Sequence, residues 1–364
     1  MLTRIINGVE FDIDETKGNE LYFEQEILSE IGDGDLESIL NMFWKKRQHY
    51  IPLSLTWEIT EKCNFECPFC YIHTKNKSIK ENVFSFSSVK KEIEDLISQG
   101  LLISYLTGGE CLLHPDFLNI YEFLKSRGVM VVILTNASLL AEKHFDMFQK
   151  YKPYKVEVSI YGTKDTFSNN PESDCKKVLD NILKLKAMDI NVVCKTPLNK
   201  CTEHQFLSIK KWCYENHIDF YYSNELYDTY SGESMQKFKL DFSKENEHTA
   251  YVPDGKKQRK KLFCCKASKY SFVMAPDLSL RPCLAFHKIK DAIIFKRGKS
   301  ISESLACMRT YIESFNDKYL PYCNGCDSFE ICQECIVTQY GHRNLEEYML
   351  KKCAEIQKLG RINP

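Results

Sequence analysis

Three cysteines set the first chemical constraint, in the pattern Cys63-x-x-x-Cys67-x-x-Cys70. Three thiolates on one short loop can hold three irons of a [4Fe–4S] cluster and leave the fourth iron open. An open metal position marks reaction rather than structure, the logic also seen in catalytic zinc sites. Phe69, just before the last of these cysteines, is expected to shield one cluster face. A second group lies far down the chain: Cys323-x-x-Cys326-x5-Cys332-x-x-Cys335, then Cys353, with Cys264, Cys265 and Cys283 upstream. Taken alone, this run also fits a zinc knuckle. The open cluster site earlier in the chain makes iron–sulfur the more coherent choice. Cys111, Cys175, Cys194, Cys201, Cys213 and Cys307 are expected as small core or surface residues.

The composition excludes several function classes. The chain has 49 basic and 50 acidic residues, a formal net charge of −1, so no general basic excess favours nucleic acid or a membrane surface. No apolar run approaches the roughly 18 residues of a membrane span. The opening MLTRIINGVEFDIDETKGNE has no apolar stretch before a small-residue cleavage site. A cytoplasmic location is therefore expected. Seventeen cysteines in a long chain of this kind imply metal or redox chemistry rather than a secreted disulfide scaffold. At 43% hydrophobic and 27% charged, the 364 residues suit a globular protein with a sizeable core.

These groups need elements to position them. Between residues 51 and 225, strand-like runs at 53–59, 101–106, 129–134, 155–160, 190–195 and 219–222 are short, apolar and rich in β-branched or aromatic residues. Amphipathic helices lie between them. One buries Phe86, Val89, Ile93, Leu96 and Ile97 and stops at Gly100. Another opens at His114-Pro115 and ends at Gly128, and a third opens on Thr202–Gln205, which fits a capping box. The alternation predicts an α/β fold, a partial (β/α)6 TIM-like barrel, with chemistry at the C-terminal ends of its strands. Residues 1–50 form a small leading unit with an amphipathic stretch near Leu28–Trp44. Residues 226–262 read as a linker ending in the basic run Lys256–Lys261, a solvated segment or a docking patch for an acidic partner. Residues 263–364 form a small, irregular, Cys-rich iron–sulfur domain.

Here a family resemblance enters. The three-cysteine motif resembles the signature of radical S-adenosylmethionine (SAM) enzymes, and Thr107-Gly108-Gly109-Glu110 after the second strand is similar to that family's GGE motif, followed by LLHPDF at 112–117. The resemblance implies that backbone and carboxylate of this motif bind the SAM amino group, glycines permitting close approach and a carboxylate pairing an ammonium. It further implies that Ser159 contacts the ribose. Asn136 either contacts SAM or makes a turn, and Lys195 can meet the SAM carboxylate. Some relatives place an arginine where this chain has Pro171. By family mechanism, a reduced cluster cleaves SAM to methionine and a 5′-deoxyadenosyl radical, which takes a hydrogen atom from substrate.

The C-terminal cysteines resemble a SPASM extension, which implies two auxiliary [4Fe–4S] clusters. The one nearer the active site takes Cys265 or Cys264, Cys283 and Cys335; the distal one takes Cys323, Cys326, Cys332 and Cys353. Three departures stand out. Cys332 and Cys335 are separated by two residues rather than three, Leu278 replaces a family glycine, and Cys264-Cys265 leaves three or four protein ligands on the first cluster. The resemblance implies a peptide-modifying enzyme installing a thioether, C–C or related modification on a ribosomally made precursor. It also implies an external one-electron donor such as flavodoxin or ferredoxin and a separate leader-binding protein. The alternatives are a sulfatase-type Cys/Ser-oxidising maturase, a small-molecule maturase, and a non-catalytic iron–sulfur or zinc module. Sulfatase-type relatives carry an aspartate base where Leu284 stands. Asp277 and His287 are nearby acid–base candidates, each also readable as a turn or surface residue.

Overall fold

A computed structural model describes residues 1–6, 8–18, 20–23, 35–46, 52–72, 84–163, 175–224, 226–240, 270–288 and 300–319. Cys264, Cys265, Cys323, Cys326, Cys332, Cys335, Cys353, Pro171 and the basic run lie outside the described residues. In chain order, β1 (Leu2–Ile6), β2 (Val9–Asp14) and β3 (Glu20–Tyr22) make an antiparallel sheet, followed by helix α1 (Leu36–Lys46). The alternation of Val9, Phe11 and Ile13 with polar neighbours dictates β2, because every second side chain points to the same face. This strand signal stands beside the helical one in the leading unit.

The expected alternation follows: β4 (Ser54–Glu58), α2 (Phe86–Ser98), β5 (Ile103–Thr107), α3 (Phe117–Ser126), β6 (Met130–Thr135), α4 (Glu142–Lys150), β7 (Lys155–Ser159), α5 (Cys175–Ala187), β8 (Val192–Pro197), α6 (Glu203–Glu215) and β9 (Asp219–Ser223). Strands β4 to β9 pair in parallel, in chain order. One helix start and one helix cap differ from expectation. Helix α3 begins at Phe117, two residues after Pro115, and the carboxylate of Asp116 accepts from Phe86 N (2.9 Å), so it caps α2 instead. Thr202 makes no side-chain cap for α6; its hydroxyl donates to Pro197 O (2.5 Å) and accepts from Asn199 N (3.1 Å).

Side-chain alternation divides the sheet into two faces. Leu55, Trp57, Leu106, Val131, Ile133, Val156 and Val158 point outward into the main core with Val89, Ile93 and Leu96 of α2. Part of the inner face is filled by the leading unit. Ile103, Met130 and Val132 pack against Phe11, Ile13, Leu40 and Phe43, so the leading unit plugs the barrel at β5 and β6. Arg4 fastens the plug by donating to the carbonyls of Leu101 (2.9 Å), Gly128 (3.3 Å) and Ile97 (3.1 Å).

The described part of the Cys-rich unit is joined to this barrel. Strand β10 (Ser271–Met274) pairs parallel with β4, and β11 (Leu280–Arg281) pairs antiparallel with β10. Helix α7 (Ile301–Tyr319) buries Ile301, Leu305, Met308 and Ile312 in the main core. Leu278, at the position of the family glycine, has φ +66°, a left-handed backbone that glycine adopts without the steric cost borne by leucine. Among the described residues, no helix is long and apolar enough to cross a membrane.

Candidate radical SAM site

The cysteine loop leaves β4 and is held by its neighbour. Ile59 N donates to Thr107 O (3.0 Å), Gly109 N to Thr60 O (2.8 Å) and Glu110 N to Lys62 O (2.7 Å). The TGGE segment is therefore zipped onto residues 59–62, which lead into Cys63. This contact explains both glycines. A Cβ at Gly108, whose φ is +144°, would sit 2.2 Å from Thr60 O, and one at Gly109 would sit 2.3 Å from Lys62 O. The expected reason was close approach of a ligand; the structure adds the closer approach of the protein's own backbone.

Glu110 is placed differently from expectation. Its side chain is buried at 1% exposure and accepts from Thr135 Oγ1 (2.7 Å), Asn136 N (2.7 Å) and Leu112 N (3.2 Å). Burial pushes its carboxyl above the ordinary range, with these donors opposing the shift. It acts from behind the site, tying the β5 loop to the end of β6. Asn136 continues the connection: its Nδ2 donates to Asn64 Oδ1 (3.0 Å), and its Oδ1 accepts from Ser138 N (3.0 Å). Asn64 in turn donates to Ser138 Oγ (2.8 Å). Asn136 thus makes the turn and anchors the cysteine loop. Asn64 lies between two cysteines and Thr135 ends a strand; only their place in the barrel gives them away.

Cys63, Cys67 and Cys70 line one cavity of about 270 Å³, together with Thr56, Thr107, Gly108, Gly109, Asn136, Ser159, Tyr161 and Leu284. It sits at the C-terminal ends of β4 to β7. Burial pushes the Cys63 thiol up to about 12 and raises that of Cys67, so both stay protonated unless a cation compensates the thiolate. Tyr161, not among the expected site residues, hydrogen-bonds to Cys67 and to Ser159. Its signal was its place two residues after Ser159 at a strand end. Among the described residues, no three Cys, His, Asp or Glu side chains converge as a single-ion site requires. A cube of four irons instead takes each thiolate at a separate corner, and three thiols around one glycine-walled cavity fit that group.

Other expected positions are less central. Lys195 stands beside Ser159 in the sheet but outside the cavity lining, its Nζ 2.5 Å from Glu157 Oε2. Phe69 is buried against Leu226, Met235 and Tyr161. Asp277 makes a turn, accepting from Ser279 N (3.0 Å). The side chain of His287 is outside the described residues. Cys283 is half-buried, one residue before the cavity-lining Leu284. Cys111, Cys175, Cys194 and Cys213 are buried, and Cys111 donates to Leu134 O (3.3 Å). A further cluster flanks the loop: Glu58 accepts from Tyr71 (2.7 Å) and Tyr230 (2.7 Å), with Arg281 stacked 5.0 Å from the Tyr230 ring.

This barrel and its three-cysteine cavity define a class. Residues 57–204 match the Radical SAM superfamily, and this stretch is a radical SAM domain, whose superfamily cofactors are a [4Fe–4S] cluster and SAM. The antilisterial bacteriocin subtilosin biosynthesis protein AlbA of Bacillus subtilis is 25% identical over 260 residues, covering 65% of this chain and 56% of AlbA. The AdoMet-dependent heme synthase of Methanosarcina barkeri is 28% identical over 153 residues, covering 41% of this chain and 43% of that protein. The chain thus spans about half the length of these curated relatives. The crystal structure of Streptococcus suis SuiB bound to S-adenosylmethionine superposes with a TM-score of 0.61 at 17% identity, covering 95% of this chain and 96% of SuiB. That likeness extends the fold assignment beyond the barrel.

Proposed function

We propose that this chain is a radical SAM enzyme acting on a ribosomally made precursor peptide, with Cys63, Cys67 and Cys70 holding the SAM-binding cluster. The observation that carries it is the zipped pair of loops: Thr107, Gly108 and Gly109 line one cavity with Cys63, Cys67 and Cys70, and three backbone hydrogen bonds tie TGGE to residues 59–62 leading into the cysteine motif. When bound, the cluster and SAM supply one-electron cleavage and hydrogen-atom abstraction. The chain's own residues do the rest. Gly108 and Gly109 leave backbone exposed to the ligand, Ser159 offers a hydroxyl on the cavity wall, and Tyr161 holds Cys67. Glu110 and Asn136 fix the loops from behind. The N-terminal plug closes the barrel at the starts of β5 and β6, the end away from the cavity.

The peptide reading is supported by the similarity to AlbA, a bacteriocin biosynthesis protein. Cys283, adjacent to the cavity, supports an auxiliary cluster with Cys264 or Cys265 and Cys335; Cys323, Cys326, Cys332 and Cys353 are proposed for the distal one. Residues 1–50, 51–225, 226–262 and 263–364 are retained as proposed units, with β10, β11 and α7 of the last built onto the barrel. A one-electron donor protein and a leader-binding partner complete the reading. The sulfatase-type alternative is disfavoured, because Leu284 gives the cavity an apolar wall and Asp277 is spent on a turn. The test is anaerobic incubation of the reduced enzyme with SAM and a precursor peptide encoded nearby, followed by mass spectrometry. Loss of hydrogen mass from the peptide is expected; 5′-deoxyadenosine with no peptide change overturns the assignment.

A further inference from the structure

The inner face of the barrel changes character between β6 and β9. Strand pairing sets Ser159 beside Lys195 and Lys195 beside Tyr221. One row therefore runs from the cavity wall to β9, about 10 Å at two strand spacings. Phe220 and Tyr222 pack on Phe206 at 5.6 and 5.0 Å, so the alternate residues Asp219, Tyr221 and Ser223 face inward. In a closed barrel these positions would be core. Here they are the exposed ones, Tyr221 at 59%.

The charges along this wall are unequal in reach. Lys195 pairs with Glu157, but the ammonium side chain is 46% exposed and the carboxylate 9%, so the positive pole faces open space. Lys155 lies two residues before Glu157 on the same face, and Asp219 belongs to the row behind. At the level of Ser159, Lys195 is the charge the row presents. An ammonium has three donors, enough to keep Glu157 and take a second acceptor. A large exposed aromatic beside it is the kind of side chain that anchors interfaces.

We propose that the row Ser159–Lys195–Tyr221 is the floor on which the peptide docks, Lys195 taking an Asp or Glu side chain next to the reacting residue and Tyr221 packing beneath the chain. This rests on the peptide reading above. The test is fluorescence anisotropy on the reconstituted enzyme with SAM, using labelled peptides built around a cysteine that differ only in a neighbouring Glu, Gln or Lys. The Glu peptide is expected to bind roughly tenfold tighter than the Gln peptide, as one charge-assisted hydrogen bond gives. Lys195→Gln erases the preference, Lys195→Glu transfers it to the Lys peptide, and Tyr221→Ser weakens all three alike. Lys211→Glu, on the outside of α6, leaves the order intact. Equal affinities, or an order that survives Lys195→Glu, overturn the inference while the peptide reading stands. Failure of every peptide to bind overturns both.

Discussion

The two halves of the barrel use the same strand–helix pattern toward opposite ends. On the β5–β6 side the inner face is apolar and sealed, with Ile103, Met130 and Val132 packed on the N-terminal plug. On the β8–β9 side the outer face is packed, and the inner face is exposed at Lys195 of β8 and at Asp219, Tyr221 and Ser223 of β9. The loops that touch the reactive cavity leave the sealed half and its neighbours β4 and β7. Close packing lies beside the cavity proposed to hold the cluster, and exposure lies along β9, on the side proposed for substrate entry.

The largest test of this contrast is Glu110→Ala in the sealed half. It leaves the donors Thr135 Oγ1, Asn136 N and Leu112 N without an acceptor, and at about 1–3 kcal/mol per orphan the loss should reach about 5 kcal/mol, measured by denaturant unfolding of the apo protein. Phe43→Ala, at a fully buried position of the plug, should cost about 3–5 kcal/mol in the same assay. His144 gives a pH dependence. Its Nδ1 accepts from Ala141 N (3.1 Å) at the start of α4, and burial holds its pKa down at about 4. The folded state then prefers the neutral ring, so this contribution is present above the unfolded value of about 6.5 and is lost as pH falls toward 4, up to about 3 kcal/mol. Unfolding midpoints across that window should fall in wild type and flatten in His144→Gln. The smallest effect belongs to the open half: Tyr221→Ser should change stability by less than about 0.5 kcal/mol. A large loss there would mean that the open face is core after all.

Most of the fold was legible because apolar runs and helix punctuation are local signals. All six barrel strands lie within two residues of the expected segments. The inner face was not legible, since a short apolar run such as VMVVIL does not say which alternate residue meets a plug. The leading sheet was missed because the Val9–Phe11–Ile13 alternation is brief. At the site, cysteine spacing and the GGE motif located the cavity. The direction of Glu110, the commitment of Lys195 to Glu157 and the contact of Tyr161 with Cys67 depend on partners 25 to 94 residues distant in sequence and carry no local mark.

The central claim, that Cys63, Cys67 and Cys70 hold a reactive cluster separate from those of the C-terminal cysteines, is tested most directly by iron and sulfide per chain after anaerobic reconstitution. Wild type should hold about twelve irons, and Cys63/Cys67/Cys70→Ala about eight, with SAM cleavage abolished. An unchanged iron count in the triple variant would contradict the assignment of this cavity.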